Sequence, residues 1–469
     1  MSDNPALHAA VGSGRPVLCL YVADAVTPNI RTIGAAQEWW LHHALAALDA
    51  NLRDRGARLL LRRGPVEDVL RDLADETGAA ALHMNERYDP EARALDEAIA
   101  ATLRAGGLTV EAHRAHLMHD PAALRTKTGS HYKVYTPFWR TFAADHAPRE
   151  PLPAPERIPS AGGNLEGVTL AELDLLPTSP DWSGGFGEWE PGENGARKRL
   201  DAFLDAHLKG YVTGRDAPGR DVTSKLSPHL RFGDVSPHQV WHAMADREGD
   251  VPNEDFETFR KELAWREFNH HLLFNIGELE TRNVHAKYDA LPWRDIEGEA
   301  KADWRAWRKG LTGYPIVDAG MRQLWQSGWQ HNRVRMICAS FLVKHLLIDW
   351  REGERWYWDC LVDGDPANNP GNWQWVAGTG ADASPFFRIF NPITQGPKFD
   401  TEGDYVRRWV PELAELPLKH IHAPWEAPRS VLEKAGVKLG HDYPEPILDH
   451  KFARQRALDA LQSIKKADA

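Results

Sequence analysis

The sequence predicts two domains of different class: an α/β domain on a doubly wound parallel sheet over residues 1–145, and an all-α domain over 196–469. Three observations carry that reading. Short apolar runs alternate with amphipathic helical segments in the first part, the pattern of a parallel sheet with covering helices. A connector rich in Pro and Gly fills 146–195, with Pro148, Pro151, Pro153, Pro155, Pro159, Gly162-Gly163 and Gly184-Gly185. Beyond Ala196 the apolar spacing is helical almost throughout, without strand alternation.

The elements follow in order. Arg15-Pro16-Val17-Leu18-Cys19-Leu20-Tyr21-Val22 is expected to be a buried strand. A helix is expected from Ala35 to Arg55, where Trp39, Leu45, Leu48 and Leu52 recur at helical spacing. Arg58 to Leu61 reads as the next strand, followed by a Pro65-led helix with acidic residues in its first turn. Ala79 to Met84 and Leu108 to Ala112 supply two more strands around a helix over 90–106. The alternation is Rossmann-like, yet Gly12-Ser13-Gly14 opens no helix, and neither GxGxxG nor a Walker lysine is present. Asp3-Asn4-Pro5-Ala6-Leu7 reads as an N-cap and first helical turn with no strand before it.

Composition excludes several classes. The 469 residues hold 56 Lys and Arg against 67 Asp and Glu, a net charge of -11 that excludes a generally basic nucleic-acid binder but not a local basic patch. Cys19, Cys338 and Cys360 are too few for a disulfide framework, a zinc ribbon or a typical iron–sulfur cluster, and they suit a reducing cytoplasm. No apolar run approaches the roughly 20 residues of a membrane helix, so no membrane partner is expected. Tryptophan is the anomaly: of 19, sixteen follow residue 181.

Several constellations in the helical half could carry chemistry. Thr223-Ser224-Lys225-Leu226-Ser227-Pro228 sets hydroxyls at a helix start, which suits a pyrophosphate and equally an ordinary N-cap. Asp363-Gly364-Asp365-Pro366-Ala367-Asn368-Asn369 lacks the ligand periodicity of an EF-hand and reads as an acidic turn. Trp373-Gln374-Trp375 and Trp329-Gln330-His331-Asn332-Arg333 mix aromatic, polar and basic groups, as base-stacking pockets do, although indoles also fill helical cores. His270-His271 and Cys338 have no partner at catalytic or metal spacing, and no metal site is expected.

Together these segments resemble the photolyase/cryptochrome flavoproteins, from Asp3 to about Arg456. The motifs are Tyr132-Lys133-Val134-Tyr135-Thr136-Pro137-Phe138, Thr223 to Ser227, Glu262-Leu263-Ala264-Trp265-Arg266-Glu267-Phe268, Thr312-Gly313-Tyr314-Pro315, Trp329 to Met336, Asp363-Gly364-Asp365 and Trp373-Gln374-Trp375. The nearest resemblance is to class I photolyases for cyclobutane pyrimidine dimers. It implies a non-covalent FAD, bent into a U in the helical domain and active when reduced. It also implies an α/β domain that often holds an antenna, whether folate, deazaflavin or a second flavin. The activity implied is light-driven electron transfer to the dimer in ultraviolet-damaged DNA, by a monomer; a cryptochrome-like blue-light photoreceptor is the alternative. Members usually begin with a strand and a basic loop ahead of the segment matching Asp3-Asn4-Pro5, so Met1 is expected to be an internal start with the central strand missing.

The resemblance also assigns residues. Tyr211, Thr223, Ser224, Lys225, Leu226 and Ser227 would hold the FAD phosphates, with Arg266 and Trp329 also on the cofactor. Arg335 would pair with Asp363 beside the isoalloxazine, Asp365 would bond the flavin or ribose edge, and Asn369 would face flavin N5, where photoreceptors often carry Asp or Cys. Glu262, Asn332, Met336, Trp265 and Trp375 match the lesion pocket. The absence of histidine at 332 and 336 favours cyclobutane dimers over the (6-4) photoproduct. Arg215, Arg266, Arg333, Arg388 and Gln395, with Lys225, would meet the DNA backbone and pocket rim. Trp373, Trp350 and Trp293 would relay electrons to the surface, with Trp304 competing for the last place; Trp307, Trp325, Trp356 and Trp358 are left to the core. The segment Asn85-Glu86-Arg87-Tyr88-Asp89-Pro90 falls where folate-binding members place ligands.

Overall fold

The computed structural model describes residues 1–145, 148–163 and 165–467. Helix α1 (Pro5–Gly12) opens at Asn4, whose side chain accepts the Leu7 amide at 3.0 Å, so the expected N-cap forms. Then β1 (Cys19–Ala23), α2 (Ala35–Arg53), β2 (Leu59–Arg63), α3 (Val66–Thr77), β3 (Ala81–Asn85), α4 (Pro90–Ala105) and β4 (Thr109–His113) alternate as the sequence requires. The first strand is shorter than expected. Pro16 has no N–H to give a ladder, and Val17 makes only an isolated bridge to Ser160 in the connector.

The parallel sheet comes in two halves: β1 pairs with β2, β3 pairs with β4, and among the described residues no strand joins β1 to β3. Helix α1 lies on the second half, where Asn85 accepts the Ala6 amide at 3.2 Å and donates to Asn4 at 3.1 Å. The neighbouring polar groups are equally committed. Arg87 grips Asp96 through two bonds of 3.0 and 2.6 Å, and Asp89 caps α4 through the Ala92 amide. The side chains expected to meet an antenna thus hold the fold together locally.

After α5 (Tyr135–Asp145) the connector holds two short 3-10 turns, Ala171–Leu173 and Ser183–Glu188. Helices then follow as α6 (Glu193–Ala206), α7 (Tyr211–Gly214), α8 (Ser227–Phe232), α9 (Pro237–Ala245), α10 (Asn253–Ile276), α11 (Lys301–Lys309), α12 (Pro315–Ser327), α13 (Asn332–Ser340), α14 (Trp350–Cys360) and α15 (Asn368–Ala377), with shorter ones running to a last helix at His450–Ala467. Two apolar clusters fill this part. One surrounds α10 with Phe203, Tyr211, Leu263 and Phe268, and takes in Tyr132, Tyr135 and Phe138 from the 132–138 motif. The other joins α11 to α15 through Trp307, Tyr314, Phe341, Trp350, Tyr357 and Trp373. Most of the tryptophan excess is therefore core.

The Thr312-Gly313-Tyr314-Pro315 turn has a physical reason. Asp318, with no exposed surface, accepts the Thr312 and Gly313 amides at 2.7 and 2.9 Å and the Thr312 and Tyr443 hydroxyls at 2.6 Å each. Gly313 sits at φ +78°, and a Cβ there would lie 2.4 Å from the Glu445 carbonyl. Only glycine fits.

Helices α14 and α15 touch at Gly353, where a Cβ would meet the Trp373 ring at 2.2 Å and Leu342 at 2.6 Å. Helix propensity alone favours Ala over Gly by about 1 kcal/mol, whereas overpacking a dense core costs about 1–3 kcal/mol. The close contact therefore decides the sign. Gly353→Ala should lower the melting temperature, measured by circular dichroism; an unchanged or higher value would refute the tight α14–α15 contact.

Candidate functional site

Two cavities organise the helical part. The first collects Thr223, Lys225, Trp329, His331, Tyr405 and Arg408 around one space. The loop entering α8 shapes it. Lys225 holds a left-handed backbone at φ +48°, and its ammonium meets Glu188 and Asp221 at 3.1 Å each, 5.4 Å from the Trp329 ring. Trp329 is buried, with the Arg335 guanidinium 5.8 Å from its ring centre. His331 has an Nε2 that meets no protein partner, and burial pushes its pKa down to about 4, so this ring is neutral. Tyr211 is packed edge-on against Phe203 and Phe259 at the start of α7.

Ser227 departs from expectation. Its hydroxyl neither caps α8 nor stays free for a phosphate, because it donates to Asp363 at 2.6 Å. Asp363 also takes Arg335 at 2.8 and 3.1 Å, while the Arg335 Nε reaches the Gln330 carbonyl at 2.7 Å. The Arg335–Asp363 pair forms as expected and ties α8, α13 and the 363–369 turn into one junction.

Asp365 behaves differently. One oxygen closes the turn into α15, accepting the Ala367 and Asn368 amides at 2.9 and 2.7 Å. The other is buried with no hydrogen-bond partner. Burial would raise this carboxyl, but His270, Arg231, Arg266 and the Asn368 amide together hold it below its ordinary value. That oxygen lies 3.6 Å from His270 Nε2, beyond hydrogen-bond reach, and an ionised oxygen short of a donor suits the N–H or hydroxyl edge of a flavin nucleotide.

Asn369 is oriented by its surroundings. Its amide nitrogen donates to the Glu354 carboxylate at 2.7 Å and backbone carbonyl at 3.1 Å, so the amide cannot be flipped without facing acceptor to acceptor. The side-chain oxygen is the end without a protein partner. Glu354, itself unexposed, is gripped by Arg31 through two bonds of 2.8 Å from the loop after β1. Sequence reading missed Glu354 and Arg31. No signal marked Glu354, one of five charged residues on α14.

The second cavity lies at the seam of the two apolar clusters and is walled by Trp265 and Trp375, with Asn269, Asn372, Gln374 and Asp382. Trp265 is held flat against Tyr135, ring centres 3.6 Å apart and 4° from parallel. Glu262, Trp265 and Asn269 share one face of α10 by helical spacing. Glu262 meets Arg215 at 2.5 Å, and burial raises its pKa despite that cation. Asn332 and Met336 do not line this cavity: Asn332 is exposed at the start of α13, and Met336 is half-buried beside Arg333, 3.7 Å from sulfur to nitrogen.

The basic candidates divide. Arg333 pairs with Asp216 at 2.7 Å and lies over the Phe399 ring at 4.6 Å, beside the helix Pro392–Phe399 that carries the half-buried Gln395. Arg388 is exposed, next to Phe387, whose side chain is 63% exposed. Arg266 is a correction. It lies on the other buried side of α10, bonded to the His116 carbonyl and ring at 2.9 and 2.7 Å and to Glu267 at 3.2 Å, so neither DNA nor the first cavity can reach it.

Among the tryptophans expected to relay electrons, Trp373 and Trp350 are buried and Trp293 is half-buried, packed against the core. Trp350 donates to Asn283 at 2.9 Å. Trp304 is buried and stacked on Trp307 at 5.4 Å, and Trp307, which the sequence leaves to the core, reaches Trp373 at 6.3 Å. The ring contacts of Trp373 run to Trp307 and Tyr357, the first of these leading on to Trp304.

Comparison with known proteins agrees with this layout. Residues 1–156 match the family model for DNA photolyase, and 259–463 that for the FAD binding domain of DNA photolyase. The deoxyribodipyrimidine photo-lyase of Agrobacterium fabrum is 53% identical over 99% of this chain and 96% of its own. Cryptochrome-1 of Arabidopsis thaliana is 36% identical over 100% of this chain and 70% of its own. A crystal structure described as a bacterial class III photolyase from Agrobacterium tumefaciens superposes with a TM-score of 0.95 at 53% identity, covering 99% of this chain and 95% of that one. The nearer resemblance to class I finds no support in that match. With an α/β domain ahead of a helical FAD-binding domain, and likeness running over the full length, the chain belongs to the photolyase/cryptochrome family.

Proposed function

We infer that the protein is a light-driven deoxyribodipyrimidine photo-lyase that splits cyclobutane pyrimidine dimers in DNA, of class III rather than class I. The observation that carries this reading is the cavity walled by Trp265 and Trp375, with Glu262 on the same face of α10 as Trp265. Two flat indoles suit an extruded, damaged dinucleotide, and extrusion, a step general to photolyases, costs a few kcal/mol, least for damaged bases. When bound, reduced FAD supplies the electron on photoexcitation that opens the dimer's ring. Residues 1–145 form the domain suited to a second, light-harvesting chromophore, 146–195 the linker, and 196–469 the domain for FAD and lesion. The protein works as a monomer on DNA in the cytoplasm.

The chain's own residues bind, orient and hold protons. Tyr211 and the Thr223–Leu226 loop, with its lysine, would cradle the phosphates, while Ser227 steadies Asp363 instead. Arg335–Asp363 would fix the isoalloxazine edge, and the open oxygen of Asp365 would take a donor from the cofactor. Asn369, with its nitrogen spent on Glu354, would offer its oxygen to the N5–H of the reduced ring. Glu262, with its raised pKa, would donate a proton to a hydrogen bond on a pyrimidine carbonyl in its neutral form. Arg333, Arg388 and Gln395 would track the backbone, with Asn332 and Met336 at the rim rather than against the stacked bases.

Irradiating a dimer-containing oligonucleotide with blue or near-ultraviolet light and reduced protein should remove dimers only in the light. No loss despite bound reduced FAD and DNA binding would instead indicate a photoreceptor. Trp350→Phe should slow photoreduction of oxidised FAD, followed by absorbance, while sparing repair by pre-reduced enzyme; equal damage to both would refute the relay. A third outcome concerns pH. A raised acid pKa keeps Glu262 neutral at low pH and loses the donor as pH rises through it, so dimer binding should weaken as pH rises through that raised pKa. Glu262→Gln retains an N–H donor and should flatten that limb. Glu262→Ala should weaken binding about fivefold at low pH, for a hydrogen bond of ~1 kcal/mol. An unchanged fall of binding with pH in the Gln variant would exclude Glu262 as its source.

A further inference from the structure

The outer half-sheet presents a cluster that repair chemistry does not use. His83 stands on β3, and Glu111 and His113 on β4, in a register that sets His83 opposite Glu111 and Asn85 opposite His113. Glu111 and His113 are two apart on one strand and so leave the same face. Leu82, Met84 and Val110 leave by the other face, into the core beneath α4. His83 Nδ1 lies 3.2 Å from His113 Nε2, and Glu111 Oε2 lies 3.5 Å from the first and 3.7 Å from the second.

Those three edges have a meaning. A tetrahedral ion at about 2.0–2.2 Å from nitrogen and carboxylate ligands spaces its ligand atoms roughly 3.3–3.6 Å apart. The observed 3.2, 3.5 and 3.7 Å bracket that value. A proton shared by the two rings would account for the short edge alone and leave the carboxylate oxygen unbonded. The side chains of His83 and His113 are only 13% and 20% exposed and stand on paired strands, which holds the rings in place, whereas Glu111 is half exposed and leaves a fourth position open to water.

We propose that His83, Glu111 and His113 bind one divalent transition ion of the zinc type, which staples β3 to β4. Two imidazoles and a carboxylate suit zinc or nickel, whereas magnesium and calcium prefer all-oxygen sets. The role is structural: among the described residues the β3–β4 ladder is the only one in its half of the sheet, and an ion that binds the folded state alone raises its stability by mass action. Sequence spacing could not reveal the site, because its ligands come from two strands and meet only through the parallel register.

The test uses the full chain with FAD bound. Zinc chloride and magnesium chloride are titrated by calorimetry into wild type, His113→Ala and Glu111→Gln, and melting is followed with and without zinc. Wild type should bind one zinc equivalent that His113→Ala lacks, Glu111→Gln should bind it at least tenfold more weakly, and zinc should raise only the wild-type melting temperature. Magnesium should do neither. Anomalous scattering at the zinc edge should place the ion among the three residues. Zinc stoichiometry and affinity unchanged in both variants would overturn the proposal, as would an anomalous peak elsewhere. Should His113→Ala fail to fold, the half-exposed Glu111→Gln decides alone. Light-driven repair should be unaffected, so either result leaves the functional reading independent.

Discussion

A carboxylate with no exposed surface organises this molecule. Glu354 receives Arg31 from the α/β part through two bonds and Asn369 from α15 through another, so one buried charge joins the two parts and orients the Asn369 amide. Breaking such a pair by removing one partner costs about 3–5 kcal/mol, because the survivor stays buried and uncompensated. Around it the contact is close. Gln37 and Trp358 bond across the same seam at 2.9 Å, and Gly34 passes so near the Trp358 carbonyl that a Cβ would lie 2.1 Å away. The α/β part is thus fastened to α14, the helix that also carries Trp350 and supports Trp373.

The electrostatic design rests on two carboxylates two residues apart. Asp363 is saturated by Arg335 and Ser227, whereas Asp365 keeps one oxygen open in a field of His270, Arg231 and Arg266. A filled partner fixes geometry; an unfilled one specifies what must come. Beside the second cavity Arg215 lies against Glu262, and Arg333 pairs with Asp216. On the proposed reading DNA would exchange these pairs for phosphate contacts, and on a chain of net charge -11 that would make affinity sensitive to salt.

Much of this was legible in the sequence, for reasons that also explain the failures. The four strands and the α1 cap follow from short apolar runs and an Asn ahead of Pro, which are local signals. Trp265 and Trp375 were found through motif residues that do reach one cavity. Arg266 was misjudged because α10 is buried on several faces, so periodicity cannot say which buried side an arginine takes. Ser227 was read as a free hydroxyl because its partner, Asp363, lies 136 residues away. Arg31 and Glu354 are separated by 323 residues, and nothing in Arg351-Glu352-Gly353-Glu354 distinguishes the buried acid from its solvated neighbour.

The divided sheet bears on how the α/β part breathes. Two ladders of five residue pairs each, with no strand shared between them, have no common row of hydrogen bonds through which one must open when the other does. Their amides belong to separate cooperative units, each as long-lived as the helix that covers it. Protection from solvent exchange would then step between β1–β2, anchored beside α2, and β3–β4, anchored by α1, α3 and α4.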